Sequence, residues 1–368
     1  MQQQVQRKAV FGFTNLFLWV AAVFMLVSFA VMGCTSSDGD EGDSGGTQTA
    51  NDLLNGSYSF DLFADDHGSF WNQSDAMTFD GSGGFALTTV YDSTGDSAAF
   101  SGTYSVAADG SLTIANTDLR GQTSADGNFF AATDTNPDDD DGDIILGAGL
   151  KYGSGMDAST LNGSYTVCQI RNDGDTKASR MSFTFDGAGN LSGEILEDTD
   201  GTTGTLTGVY TVAANGAFGV DVGGLSKAFA GNVSSDGNMF LIYDTDDDGE
   251  VLLMIGLKKV SSGMSVSSLS GDYQLNMMAD DGTNPWTTRV AITADGLGSM
   301  SVDILAASDG DLSAQPDMSY TVAGDGTLAI VGTDLSGQLS SDGEVLIMVD
   351  SDNSSDGEVM LMIGIKKS

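Results

Sequence analysis

Three acidic stretches carry the oxygen donors best placed for chemistry. They are Asp134-Thr135-Asn136-Pro137-Asp138-Asp139-Asp140-Asp141-Gly142-Asp143, Asp244-Thr245-Asp246-Asp247-Asp248-Gly249-Glu250 and Asp350-Ser351-Asp352-Asn353-Ser354-Ser355-Asp356-Gly357-Glu358. A hard cation such as Ca2+ takes about six to eight oxygen ligands, and a Gly lets the chain bend sharply around it. On that logic the first stretch offers Asp134, Asn136, Asp138 and Asp140 as metal ligands. The second offers Asp244, Asp246, Asp248 and Glu250, and the third Asp350, Asp352, Asp356 and Glu358. Each stretch leads straight into apolar residues, so the plainer reading is a solvated hairpin loop, with calcium second.

The alternation of Asp with a closing Gly resembles the first half of the Asp-x-Asp-x-Asp-Gly loop of EF-hands, which implies Ca2+ as the ligand. The bidentate Glu that closes an EF-hand loop is absent, as are flanking helical patterns. Other chemistry is thinly represented. His67 is the single His, so a Ser-His-Asp arrangement would depend on it alone. Cys168, in Tyr165-Thr166-Val167-Cys168, reads as a small buried hydrophobe. Carboxylate pairs abound by composition and single out no glycosidase site. The sequence has no phosphate loop and no His/Cys metal cluster. It reads as a non-enzyme.

The 52 Asp and Glu against 13 Lys and Arg give a formal net charge of −39. Such a charge repels phosphate backbones and excludes nucleic acid as a partner, while favouring cations and basic surfaces. Hydrophobic residues still make up 40% of the chain, enough to build cores.

Arg7 and Lys8 precede an almost wholly apolar run from Val10 to Gly33, the pattern of a secretory signal. Val31-Met32-Gly33-Cys34 resembles the lipobox of bacterial prolipoproteins, with Met32 where that family has a small residue. The resemblance implies cleavage before Cys34, lipidation of its sulfur and acylation of the new N-terminus. Several acyl chains, at ~0.8 kcal/mol per buried methylene, anchor a protein firmly without a spanning helix. The competing reading is an uncleaved span, since the run exceeds the roughly 18 residues a helix needs. Thr35, rather than Asp, follows the Cys, which by the same resemblance implies the outer membrane, on its periplasmic or its external face. Residues 34–51 then form a flexible acidic tether rich in Gly, Ser and Asp.

The rest of the chain is threefold. Leu54-Asn55-Gly56-Ser57-Tyr58 returns as Leu161-Asn162-Gly163-Ser164-Tyr165 and Leu269-Ser270-Gly271-Asp272-Tyr273, 107 and 108 residues apart. Second Tyr landmarks fall at Tyr104, Tyr210 and Tyr320, and Asp-Gly turns recur in step. Thr, Val, Tyr and Phe alternate with polar residues, and Asp-Gly supplies the positive φ of tight hairpins. The fold class is therefore all-β, as three tandem antiparallel meander repeats at 52–152, 160–259 and 268–368, joined by linkers 153–159 and 260–267. Eight-stranded up-and-down barrels suit that length best, and a six-bladed propeller is the alternative. The Leu-x-Gly-x-Tyr first strand beside an apolar last strand resembles small calycin barrels of the lipocalin and avidin kind, which implies closed barrels.

Each last strand is apolar on both faces. Val251, Leu253, Ile255 and Leu257 share one face, as do Val359, Leu361, Ile363 and Ile365, and these are expected to close the barrels. Leu252, Met254, Met360 and Met362, with Ile145 and Gly147 in the first repeat, lie opposite and are expected to pack between repeats. Phe63, Phe70, Trp71 and Trp286 are expected in cores, or else at a barrel mouth that takes a ligand. The functional expectation is an envelope lipoprotein that binds a small ligand, a protein or a glycan. A calcium-stiffened structural or adhesive repeat protein comes second, and a hydrolase last. Replacing Cys34 by Ala is expected to leave the precursor uncleaved and without label from radioactive palmitate. Normal labelling of that variant would remove the lipobox assignment.

Overall fold

Alternating apolar residues make strands with one buried face, and Gly at the turns reverses them. The computed structural model describes residues 50–66, 68–136, 143–223, 228–245, 249–282, 284–351 and 358–368. The signal segment, Cys34, the tether to residue 49, His67 and the middles of the three acidic stretches lie outside the described residues.

Barrel 1 contains β1 (Asn55–Asp66), β2 (Ser69–Asp80), β3 (Gly84–Asp92), β4 (Ala99–Val106), β5 (Ser111–Ile114), β6 (Leu119–Thr123), β7 (Phe129–Asp134) and β8 (Asp143–Lys151). Barrel 2 contains β9 (Asn162–Asn172), β10 (Thr176–Asp186), β11 (Asn190–Asp198), β12 (Gly204–Val212), β13 (Ala217–Gly223), β14 (Ala228–Val233), β15 (Met239–Asp244) and β16 (Val251–Lys258). Barrel 3 contains β17 (Ser270–Asp280), β18 (Pro285–Asp295), β19 (Ser299–Ala307), β20 (Met318–Val322), β21 (Thr327–Ile330), β22 (Ser336–Leu339), β23 (Val345–Asp350) and β24 (Val359–Lys366). Every strand pairs antiparallel with its chain neighbour and each first strand closes on its last. The barrels expected from the repeats are present, and the propeller is not.

The landmark tyrosines seal one end of each barrel. Tyr58, Tyr165 and Tyr273 donate their hydroxyls to the carbonyls of Gly127, Gly237 and Gly343. Tyr104, Tyr210 and Tyr320 donate to the carbonyls of Leu54, Leu161 and Leu269. A Cβ at Gly127 would lie 1.8 Å from the Leu53 carbonyl oxygen, and its φ of +66° is left-handed. Only Gly fits there.

Side chains fill the lumens. Barrel 1 stacks Tyr58, Phe60, Phe79, Phe85, Tyr104 and Phe130, and barrel 2 repeats the aromatic pattern around Phe185. Barrel 3 substitutes Leu and Met, including Met277, Met300 and Met348. Trp71 and Trp286 pack at the edges of the lumen clusters of barrels 1 and 3.

A fourth apolar cluster belongs to no single barrel. It gathers Ile144, Leu146, Ala148 and Leu150 of β8, Val251, Leu253, Ile255 and Leu257 of β16, and Val359, Leu361, Ile363 and Ile365 of β24. Phe63 lies within it and Phe70 packs against it. This corrects the expected faces. The Val251 and Val359 faces join the barrels to one another, whereas Leu252, Met254, Met360, Met362 and Ile145 line lumens. Both faces are buried as expected, with their roles exchanged. A lumen narrows toward its filled centre and takes flexible Met well, while flat sheet-on-sheet packing favours β-branched residues.

Contacts around this cluster are cyclic. β1 and β2 pack on β15 and β16, β9 and β10 on β23 and β24, and β17 and β18 on β7 and β8. Barrel 3 thus contacts barrel 1 as barrel 1 contacts barrel 2, which gives a ring with approximate threefold symmetry. The connecting backbone obeys it too. Gly153 N donates to Asn215 O, Val260 N to Asp325 O, and Ser368 N to Asp109 O.

One interface holds a buried acid. Asp61, on the outer face of β1, is fully buried and accepts hydrogen bonds from Ser59 at 3.0 Å and Ser74 at 2.6 Å. Burial pushes its carboxyl up to about 7, the two hydroxyls oppose the rise, and Asp75 adds to it. A raised folded-state value means the native state holds the proton more tightly than the unfolded chain. Its stabilising contribution is complete below the ordinary value of 3.8 and is lost as pH rises through about 7. Asp75, raised by burial to about 6, acts in the same sense. Asp61→Asn is expected to flatten the fall in melting temperature between about pH 4 and 8. An unchanged pH profile would show that Asp61 carries none of it.

Candidate functional site

The three acidic stretches follow β7, β15 and β23, the strands that build the shared cluster. Ile144, Val251 and Val359 are the first or second strand residues after them, and all three belong to that cluster. The approximate threefold therefore sets the described residues that flank the stretches around one end of the ring axis. The stretches carry six, five and four carboxylates. Strand direction fixes which end. Asp143 faces Asp66 at the far end of β1, while Lys151 faces Tyr58 near its start. The 12-residue β1 separates the two ends by roughly 35 Å along the strand. The 3-10 turn Ala50–Leu53 and both linkers lie at the tyrosine-sealed end, opposite the acidic loops.

The described members of the proposed ligand set are Asp134, Asn136, Asp244, Glu250, Asp350 and Glu358. Asp138, Asp140, Asp246, Asp248, Asp352 and Asp356 lie outside the described residues. Asp134 accepts from the Asn136 N–H at 3.0 Å, and the Asn136 amide donates to Asp118 at 2.9 Å. Asp244 is buried, and its carbonyl accepts from Asn72 of barrel 1 at 3.1 Å. Glu250 stands 3.9 Å from Arg171, which also holds Asp198 at 3.1 Å and Asp200 at 3.4 Å. Among the described residues, no three His, Cys, Asp or Glu side chains converge as a metal site. What is visible of these loops is turn capping and barrel docking.

Cys168 lies in the shared cluster, fully buried, and burial pushes its thiol up to about 12. A thiolate nucleophile needs the opposite environment. The alternating pattern around Val167 was signal enough to find it.

Sequence reasoning missed a set of sites between the barrels, because they combine residues more than a hundred positions apart. In each barrel the third strand carries a β-bulge, with Val90, Leu196 and Leu305 as the extra residue opposite Ser74/Asp75, Arg180/Met181 and Arg289/Val290 of the second strand. A bulge re-aims the side chain beside it. Between barrels 1 and 2, Tyr91, paired with Ser74, stacks on Tyr243 with ring centroids 5.7 Å apart. Between barrels 2 and 3, Arg180 forks onto Glu197, which accepts a further hydrogen bond from Ser336 at 2.8 Å. A groove of about 420 Å³ opens beside that pair, lined by Asp198, Thr202, Asp334 and Ser351 among others.

No protein-family profile matches the sequence, and no curated protein matches it. Among solved structures, transferrin binding protein B of Neisseria meningitidis serogroup B is 9% identical, with 85% of this chain and 76% of that one covered at a TM-score of 0.28. The same protein from Haemophilus parasuis is 10% identical over 84% of this chain and 75% of that one, again at a TM-score of 0.28. Overlap that loose carries neither fold nor function across, and the site rests on its own geometry.

Proposed function

We propose that this chain is a non-catalytic, lipid-anchored protein of the bacterial outer membrane whose barrel ring presents an acidic crown to a positively charged partner. The observation that carries the reading is the opposition of ends. The chain enters barrel 1 through Ala50–Leu53 at the sealed end, and the strand ends that flank the acidic stretches lie at the opposite end, which a lipid anchor at Cys34 would turn away from the membrane. Filled lumens leave surface loops as the binding element. The described acids Asp134, Asp143, Asp244, Glu250, Asp350 and Glu358 flank stretches that carry fifteen carboxylates in sequence. This concentration of negative charge steers a basic protein or peptide onto the crown, an effect that salt screens within about 10 Å at 0.1 M. Arg171, Lys177 and Arg180 tie down acids on barrel 2, keeping part of the rim ordered.

A second reading is favoured by the closing Gly of each stretch, namely that Ca2+ bridges the loops and stiffens a structural or adhesive ring. Two measurements separate them. Oligolysine is expected to bind at low salt and release steeply as salt rises. A variant with Asp138, Asp139, Asp140, Asp246, Asp247 and Asp248 changed to Asn should lose most of that binding, and undiminished binding would remove the crown. Under the second reading, millimolar Ca2+ but not Mg2+ raises the melting temperature over EDTA, by mass action on the native state. No calcium-specific rise leaves the loops as solvated turns.

A further inference from the structure

The third inter-barrel site differs in kind from the other two. Register places Arg289 of β18 where Arg180 stands in β10, each facing the bulge of the next strand. The strand partner of Arg180 is Glu197, whereas the partner of Arg289 is Ala306. Across the interface, the residue equivalent to Ser336 of β22 is Arg120 of β6, each two positions before the Gln that braces the next turn. The carboxylate that joins barrels 2 and 3 is therefore missing between barrels 3 and 1, and a second guanidinium has taken the place of the serine.

The polar groups there are correspondingly unsatisfied. Arg289 Nε is buried without a hydrogen-bond partner. Gln274, 3% exposed, has a buried Nε2 in the same condition, as are Gln122 Oε1 and Asn276 Oδ1. Asn276 pairs directly with Arg289 across the β17–β18 ladder, and Gln274 is its diagonal neighbour on the same face. In the barrel 2–3 interface the counterparts of Gln274 and Gln122 satisfy each other, Thr166 donating to Gln338 at 2.8 Å. Burial, and the charge of Arg120, disfavour the protonated guanidinium of Arg289. Arg120 is itself held by the carbonyls of Thr117 at 2.7 Å and Leu119 at 2.9 Å, with Asp118 4.0 Å away. Unpaired buried donors cost stability, and a second positive charge close enough to repel Arg289 adds to the cost.

We propose that the barrel 3–1 interface is an oxyanion site, in which Arg289 and Gln274, faced by Arg120, take up a carboxylate or phosphate group from solution. The bound group stands where the Glu197 carboxylate stands between barrels 2 and 3. It supplies acceptors to both unpaired donors and relieves the repulsion between the guanidiniums. A small acid bound there clamps barrel 3 to barrel 1 and so tightens the whole ring.

The test is thermal unfolding of the full chain in mild detergent, with succinate, inorganic phosphate or chloride at matched ionic strength. The expected result is a melting temperature about 2–4 °C higher in succinate or phosphate than in chloride. The stronger of the two identifies the ligand as carboxylate or phosphate. Ala306→Glu places a carboxylate on the chain itself, so it should melt higher in chloride and lose the oxyanion response. Arg289→Ala should lose the response as well. Equal melting in all three salts would overturn the proposal. So would an oxyanion response retained in full by Ala306→Glu, which would mark it as general screening of the net negative charge.

Discussion

The structure depends on one apolar cluster at the centre of the ring. β8, β16 and β24 each bury one face inside a barrel and the other against two neighbouring barrels. A barrel of about a hundred residues with its own lumen needs no partner to satisfy its backbone, because closure leaves no edge strands. These barrels still cannot stand alone, since separation would expose the Val251-Leu253-Ile255-Leu257 face and its equivalents to water. At roughly 25 cal/mol per Å² of apolar surface, that exposure outweighs any gain in freedom of the linkers. The cluster turns three repeats into one body.

The threefold plan is kept in the cluster and varied around it. Identical packing demands place Ile, Leu and Val at the centre, whereas the bulged positions at the rim are free to differ. They hold a tyrosine stack in one interface, an Arg–Glu pair in the second and opposed arginines in the third. A ring of identical interfaces has no preferred partner for any barrel. Distinct rim chemistry gives each interface its own complement and so fixes which barrel meets which. The buried Asp61, where barrel 2 has Cys168 and barrel 3 has Asn276, belongs to the same set of differences.

Much of this was legible in the residues. Spacing at 107 and 108 residues and the alternation around Tyr58, Tyr165 and Tyr273 carried the barrel architecture, because local pattern decides strand and turn. The doubly apolar last strand announced that barrels pack together. It did not say which face does so, since Val251-Leu253 and Leu252-Met254 are equally hydrophobic and only closure curvature chooses between them. The inter-barrel rim was hidden for another reason. Arg289, Ala306 and Arg120 acquire meaning only when a ring brings β17 and β18 of the last barrel onto β6 and β7 of the first. The acidic loops were plain as composition, and what is described of them shows capped turns at one end of the axis.

The most direct test of the account is calorimetry of the whole chain, asking how many units unfold. A shared central cluster predicts a single cooperative transition, lowered as a whole when Leu361 in barrel 3 is changed to Asp, with barrels 1 and 2 melting no later than barrel 3. Two or three separable transitions, with Leu361→Asp shifting only one of them, would show barrels strung independently on a chain and would contradict the ring.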